Sequence, residues 1–255
     1  MLATLALALA YGLQAMLPAP AKIGPGGEKP MELVDLDCVR REMLEEFGHD
    51  VMAENLYRSP RLTEEGWPVY RELLLQAILE NDGTWLAEQI RRLGLLRKYE
   101  TRRRDRPPRT LAGPARTIGR DTIRSKVPDS AADTLAHGQF NHYYMRGVCR
   151  RAIATGQKRV KVYRARKVNQ PRRESQRRLG WELNAEELLE DLRAHPEEGN
   201  RLRVPGGPNS GLSIRLLSRM DFTSRRASKD TREETDEDSN PPADAPENPC
   251  GEDNA

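Results

Sequence analysis

The sequence predicts a mainly α-helical protein with a small α+β unit towards the C-terminus and a disordered acidic tail. Apolar residues recur every three or four positions in most segments between residues 36 and 155. Two later runs alternate apolar and polar residues, and the end of the chain is rich in charge and proline. Only 37% of the 255 residues are hydrophobic, so a modest core is expected and a single large enzyme domain is not.

Residues 32–97 are predicted to form a small helical domain. Its first helix has Asp35 or Asp37 as a candidate N-cap and Gly48 as a candidate break, its second begins after Thr63, and its third begins after Thr84. The apolar positions of the three helices are Leu36, Val39, Met43, Phe47 and Val51, then Trp67, Tyr70, Leu74 and Ile78, then Trp85, Leu86, Ile90 and Leu93.

Residues 98–130 are predicted to be a basic linker, because they contain paired prolines and no apolar period. An α+β domain is predicted to follow over residues 131–217. It begins with a helix from about Ala131 to Thr155, interrupted at Gly138. Arg159–Arg164 and Leu212–Leu216 alternate as strands that could pair, and Asn184 resembles a capping-box residue at the start of another helix.

The two ends of the chain are predicted to lie outside these domains. Residues 1–31 form an apolar, then Gly/Pro-rich extension, and translation from Met31 is one account of it. Secretion through residues 1–21 is another, although no basic residue precedes the apolar run. Residues 218–255 are predicted to be the disordered acidic tail. From these features we expect a cytoplasmic protein without a membrane contact.

Charge is strongly segregated along the chain. Residues 31–96 hold 7 basic and 14 acidic side chains, residues 97–178 hold 24 basic and 6 acidic ones, and residues 230–255 hold 1 basic and 10 acidic ones. The formal net charge of +3 therefore hides an acidic–basic–acidic order. A basic segment of this density favours polyanions or acidic protein surfaces, and the acidic segments could meet it within the chain or in a neighbouring copy.

Motifs for catalysis or metal binding are incomplete. The run from Gly24 to Lys29 lacks the elements of a phosphate-binding loop, and three scattered cysteines give no metal-ligand spacing. His142 and Cys149 lie about 10 Å apart along one predicted helix, which is too far for joint ligation. We therefore expect no enzyme activity, no catalytic residues, no cofactor and no metal.

The basic residues are the candidate site for a polyanion or an acidic partner, because guanidinium groups suit phosphate and carboxylate. Tyrosines interleaved with them could stack on bases, although packing of the tyrosines with solvated arginines remains the alternative. A helix-turn-helix around Gly83, with Gln89, Arg91 and Arg92 facing DNA, is a further alternative to a plain helical hairpin. The candidate residues are Arg97, Lys98, Arg102, Arg103, Arg104, Arg106, Arg109, Arg146, Arg150, Arg151, Lys158, Arg159, Lys161, Arg164, Arg166 and Lys167.

Four segments resemble proteins of the structural gene modules of tailed phages and prophages. They are MELVDLDCVRREMLEEF, the run from Phe140 to Gly147, VKVYRA and GPNSGLSIRL. The resemblance implies a virion-associated, non-enzymatic structural or assembly protein of a phage-like particle that acts through charged contacts with protein subunits or with itself. The alternative is a nucleic-acid-binding accessory protein that uses the Arg-rich middle segment on DNA or RNA.

Overall fold

The computed structural model describes residues 31–103, 122–168, 171–196 and 211–217. The fold class predicted from the sequence is confirmed for this part of the chain, which is mainly helical with small antiparallel sheets. The predicted extension at residues 1–30 and the tail from 218 onward lie outside the described residues. The helices are α1 (Leu36–Met52), α2 (Gly66–Glu80), α3 (Gly83–Arg92), α4 (Ala131–Ala154), α5 (Arg173–Arg177) and α6 (Ala185–Ala194).

The strands form two separate antiparallel sheets within the described ranges. The first is a two-stranded ribbon of β1 (Tyr99–Arg103) and β2 (Thr122–Lys126). The second has the order β4-β3-β5 and consists of β3 (Arg159–Arg164), β4 (Glu182–Asn184) and β5 (Leu212–Leu216). The two strands predicted from alternation are confirmed, and they pair with Val162 opposite Ile214.

Local signals place several helix ends. The side chain of Asn184 accepts hydrogen bonds from the backbone N–H groups of Glu186 and Glu187, as its predicted capping role requires. Thr63 Oγ1 accepts from the N–H of Gly66 at 2.9 Å. The third helix is capped by Asp82 instead of Thr84, because the Asp82 carboxylate accepts from the N–H of Trp85. The predicted interruptions at Gly48 and Gly138 do not occur, and both helices continue through them.

The long helix α4 is the centre of the structure and is buried along most of its length. Helices α1, α3 and α6 and strand β5 all pack against it. One hydrophobic core therefore runs from Val39 and Met43 through Phe140 and Tyr144 to Ile214. No helix of the described ranges is long and apolar enough to cross a bilayer.

The predicted separation into domains at 32–97 and 131–217 is corrected by this core. The described residues up to Leu216 belong to one compact unit, and of the second unit, 217–255, the structure describes Leu217 alone. The segment before α1 is also tied to the sheet, because the N–H of Glu32 donates to the carbonyl of Ala165 at 2.7 Å. Each apolar helix face needed a partner, and the longest available face belongs to α4.

The predicted linker at 98–130 is likewise corrected at both ends. Its described residues pair as β1 and β2, in the register Tyr99 opposite Lys126 and Arg103 opposite Thr122. The N–H of Val127 donates to the carbonyl of Lys98 at 3.0 Å and closes the base of the ribbon. Charged strands without an apolar alternation gave no sequence signal for this pairing.

The contact between α1 and α4 is close enough to require glycine at position 147. A Cβ atom there would lie 2.7 Å from Met43 Cγ and 3.1 Å from the carbonyl oxygen of Val39, whereas a Cβ on Gly48 would meet nothing within 4 Å. We expect Gly147→Ala to lower the free energy of unfolding by about 1–3 kcal/mol through overpacking. Gly48→Ala should raise it by about 0.5–1 kcal/mol by restricting the unfolded chain. Urea unfolding of both variants tests this pair, and equal midpoints would contradict the close approach.

Candidate functional site

The most polar part of the core is centred on Arg146, whose side chain has no exposed surface. Its guanidinium donates to Glu46 Oε2 from Nε at 2.9 Å and from Nη2 at 2.7 Å. It also donates to Asp50 Oδ2 from Nη1 at 2.5 Å and to Asp50 Oδ1 from Nη2 at 2.9 Å. Glu46 and Asp50 are four residues apart on α1, which places both carboxylates on one helix face.

Further donors surround the same two carboxylates. The Tyr143 hydroxyl donates to Asp50 Oδ2 at 2.9 Å, and Arg150 Nη1 donates to Glu46 Oε1 at 3.1 Å. Arg193 from α6 donates to Glu46 from Nε at 2.9 Å and from Nη2 at 2.6 Å. We call Glu46, Asp50, Tyr143, Arg146, Arg150 and Arg193 the buried ion cluster. It joins α1, α4 and α6.

The cluster keeps its carboxylates ionised despite burial. Burial alone raises the pKa of Glu46, but the hydrogen bonds from Arg193 and the charge of Arg146 outweigh it and lower the pKa to about 2. Burial also opposes ionisation of Asp50, and the hydrogen bonds and charge of Arg146 lower its pKa overall. The same carboxylates raise the pKa of the Arg146 guanidinium against the effect of burial. Charge pairing therefore exceeds desolvation at each of these groups.

His142 and Cys149 lie next to this cluster on α4 and favour neutral states. Burial and the charge of Arg146 lower the pKa of His142 to about 4. Its Nε2 atom has no hydrogen-bond partner among the described residues. Burial raises the pKa of the Cys149 thiol, so a thiolate is disfavoured. These two residues therefore suit packing, and no group of three or more His, Cys, Asp or Glu side chains suited to a metal occurs in the described ranges.

Three of the predicted partner-binding arginines serve the interior or its rim instead. Arg146 is fully buried, so the prediction that it contacts an external polyanion is wrong. Arg150 is paired with Glu45 and Glu46, and Arg151 is paired with Glu42. Part of the charge segregation along the sequence is thus neutralised inside the molecule, where basic α4 meets acidic α1.

The helix-turn-helix alternative fails for a related reason. The side chain of Gln89 is buried, and Arg91 pairs with Asp133 of α4. Helix α3 packs against α4, so Gln89 faces protein and Arg91 is engaged by α4, whereas Arg92 is exposed.

The predicted basic residues between 158 and 167 lie on and around β3. Lys158 and Arg159 are exposed at its start, and Arg159 lies 4.0 Å from the carboxylate of Glu182. Lys161 and Arg164 are half-buried in the strand, Arg166 is buried after it, and Lys167 is exposed. The structure therefore does not gather them into one exposed patch, because successive strand residues point to opposite faces.

The remaining predicted residues belong to the ribbon and its surroundings. Arg97 donates to the carbonyl of Leu62 at 3.0 Å, and Lys98 is exposed at the base of β1. Arg102 and Arg103 lie in β1. Arg104, Arg106 and Arg109 lie outside the described residues.

One face of the ribbon carries residues that the sequence did not single out. Tyr99 and Thr101 on β1 share this face with their cross-strand partners Lys126 and Arg124. All four residues are exposed, and the Arg124 guanidinium lies 4.3 Å from the centre of the Tyr99 ring. We call Tyr99, Thr101, Arg124 and Lys126 the ribbon face. No local sequence pattern indicated this face, because its strands are mostly charged and have no apolar alternation.

On the opposite side of the ribbon, Glu100 is turned to the protein body, whereas Ile123 is 45% exposed. Glu100 accepts from Arg61 Nε at 2.6 Å, and Leu62 bridges Leu96 just before β1 begins. The acidic residue of β1 is thereby neutralised away from the ribbon face.

No family model matches the chain, and no curated protein or solved structure is significantly similar to it.

Proposed function

We propose that this protein is a non-enzymatic nucleic-acid-binding accessory protein and that the ribbon face is its contact surface. The observation that carries the proposal is the exposed Tyr99 ring with the Arg124 guanidinium stacked 4.3 Å from its centre, beside Lys126. An exposed aromatic ring next to cations can stack on a base while the cations contact phosphates.

The segment of sequence that contains β1 and β2 is strongly basic. Residues 97–127 hold 11 basic and 3 acidic side chains, a net charge of +8. The carboxylate of Glu100 is paired with Arg61 on the body side. Among the described residues, Lys126 forms an exposed ion pair with Asp129 at 3.0 Å. Exposed pairs of this kind contribute little and exchange readily, so Lys126 is available to a phosphate.

The shape of the ribbon also suits a nucleic acid. The major groove of a duplex admits a two-stranded antiparallel ribbon, and its charged residues can follow the phosphates on either side. An isolated two-stranded ribbon is only marginally stable, so binding along its length would also order it. These features favour nucleic acid over an acidic protein surface as the partner, because binding to an acidic protein surface does not need an aromatic ring that stacks.

The test is a titration of labelled single-stranded DNA, duplex DNA and RNA followed by fluorescence anisotropy over a range of salt. We expect Arg124→Glu together with Lys126→Glu to weaken binding at least about tenfold at low salt and to flatten the slope of log K against log salt by about two. Tyr99→Ala should weaken single-strand binding by about 1–3 kcal/mol, and Tyr99→Phe should retain it.

The control is Arg41→Glu together with Arg71→Glu, which changes the net charge equally on helices away from the ribbon. Arg41 and Arg71 are exposed and pair only with nearby helix carboxylates in the described structure. An equal loss of affinity in this control would mean that only the overall charge matters. It would contradict a site on the ribbon face. Absence of binding by the unchanged protein to all three probes at low salt would remove nucleic acid as the partner.

An assembly protein acting through protein contacts is the second candidate. It is favoured by Leu179 and Trp181, two large apolar side chains exposed in the connection from α5 to β4. Tryptophan is enriched at the centres of protein interfaces, and its exposure on a monomer is unusual.

A further inference from the structure

The stretch from α5 to α6 presents an apolar centre between opposite charges. Leu179 is 39% exposed and Trp181 is 49% exposed, so part of each apolar side chain remains in contact with solvent. Both residues lie in the short connection that leads from α5 into β4, an edge strand of the three-stranded sheet. The two side chains are therefore displayed at the edge of the sheet.

The backbone holds Trp181 in this position. The N–H of Val162 donates to the carbonyl of Trp181 at 2.8 Å, and the N–H of Gly180 donates to the carbonyl of Val162 at 2.9 Å. Gly180 has a φ of 82°, a conformation that favours glycine and turns the chain sharply before the strand. The backbone at Trp181 is therefore hydrogen-bonded to strand β3. The indole is exposed from this fixed backbone position.

Charges of opposite sign lie on the two sides of Trp181 along the chain. The short helix α5 and its N-cap expose three arginines and one glutamate, Glu174, and α6 exposes three glutamates on its outer face. These residues are Arg172, Arg173 and Arg177 on the basic side, and Glu186, Glu187 and Glu190 on the acidic side.

We propose that this surface, from α5 through Trp181 to α6, is the interface between two copies of the chain. A twofold interface brings each surface against itself, so the basic residues before Trp181 and the acidic residues after it become complementary when a second copy is turned by 180°. The arginines of α5 in one copy then face the glutamates of α6 in the other, and Leu179 and Trp181 meet near the axis. A nucleic acid would be repelled by α6, and an unrelated acidic protein would leave the α6 glutamates against like charge.

The test is analytical ultracentrifugation of the full chain across protein concentration and salt. We expect a dimer of the unchanged protein that weakens as salt rises. Trp181→Ser should weaken it about 30-fold, as expected for an aromatic residue at the centre of an interface. Arg173→Glu with Arg177→Glu, and separately Glu187→Arg with Glu190→Arg, should each shift the protein to monomer because like charges then face each other.

Mixing the two charge-reversed proteins provides the decisive readout. Arginines from one variant then face glutamates from the other, so a one-to-one heterodimer should form where neither protein dimerises alone. A matched control, Arg41→Glu with Arg71→Glu, should dimerise like the unchanged protein. The proposal is overturned if the unchanged protein stays monomeric at about 100 μM in low salt, or if the mixture of charge-reversed variants does not associate.

Discussion

Replacing Arg146 with alanine is expected to lower the free energy of unfolding by about 3–5 kcal/mol. The guanidinium is fully buried and makes four hydrogen bonds to the carboxylates of Glu46 and Asp50. Its removal leaves Asp50 buried with no guanidinium partner among the described residues, because Arg150 and Arg193 donate to Glu46. Breaking one side of a buried pair has a cost in this range, since the remaining charge stays desolvated.

The measurement is urea unfolding at pH 7 and again at pH 4. The loss of unfolding free energy in Arg146→Ala should be smaller at pH 4 than at pH 7. Without its cation, the buried carboxylate takes up a proton more readily than the same carboxylate does in the unfolded chain. Arg41→Ala is the control, since Arg41 is 85% exposed and forms only a helix-surface pair with Glu45. We expect it to change stability by less than about 0.5 kcal/mol. Equal losses from the two substitutions would contradict the role assigned to the buried ion cluster.

Stability should also fall steeply as the pH is lowered from about 6.5. His142 has a pKa of about 4 in the folded protein against 6.5 as the ordinary value, so the unfolded chain binds a proton first. The contribution of His142 to the free energy of unfolding is fully present above pH 6.5. It decreases by about 3 kcal/mol as the pH falls to 4, because each pH unit corresponds to about 1.36 kcal/mol.

The carboxylates extend the same trend to lower pH. Glu46 has a pKa of about 2 against 4.5, so its contribution is present above pH 4.5 and is lost as the pH approaches 2. About 2 kcal/mol of it should be gone at pH 3. The lowered pKa of Asp50 acts in the same direction. Urea unfolding between pH 8 and pH 3 measures the whole profile.

His142→Gln separates the histidine from the carboxylates. The variant should lose the slope between pH 6.5 and 4 and keep the slope below pH 4, whatever its stability at pH 7. His195→Gln, which removes the half-buried histidine that follows α6 and lies outside the cluster, should keep both slopes. A slope between pH 6.5 and 4 that survives in His142→Gln would assign it to another group.

Elements with strong local signals were predicted well from the sequence. The strands Arg159–Arg164 and Leu212–Leu216 have alternating apolar residues, and Asn184 has the side chain that an N-cap needs. The strands β1 and β2 were missed, because their residues are mostly charged and their pairing joins positions 99 and 126. Gly138 and Gly48 were overrated as breaks, since packing of α4 and α1 outweighs the modest helix cost of glycine.

The positive charge of the candidate site could be predicted from the sequence, but the exposure of its individual residues could not. The sequence located the basic segment from 97 to 178, but exposure decides which cations can meet a partner. Arg146 became the centre of the core, whereas Arg124 and Lys126 became exposed beside Tyr99. No local pattern distinguishes these arginines, because burial depends on the elements that pack around each one.

The sequence by itself determined the fold class, the positions of the strongly periodic helices and the order of acidic and basic segments. These follow from side-chain periodicity and composition, which act over a few residues. Only the tertiary structure decided that residues 32–97 and 131–217 share one core, and that Glu46 pairs with Arg146 across 100 positions of chain. Such contacts depend on how whole helix faces fit together, and a carboxylate and a guanidinium stay ionised in the core only when that fit brings them into contact.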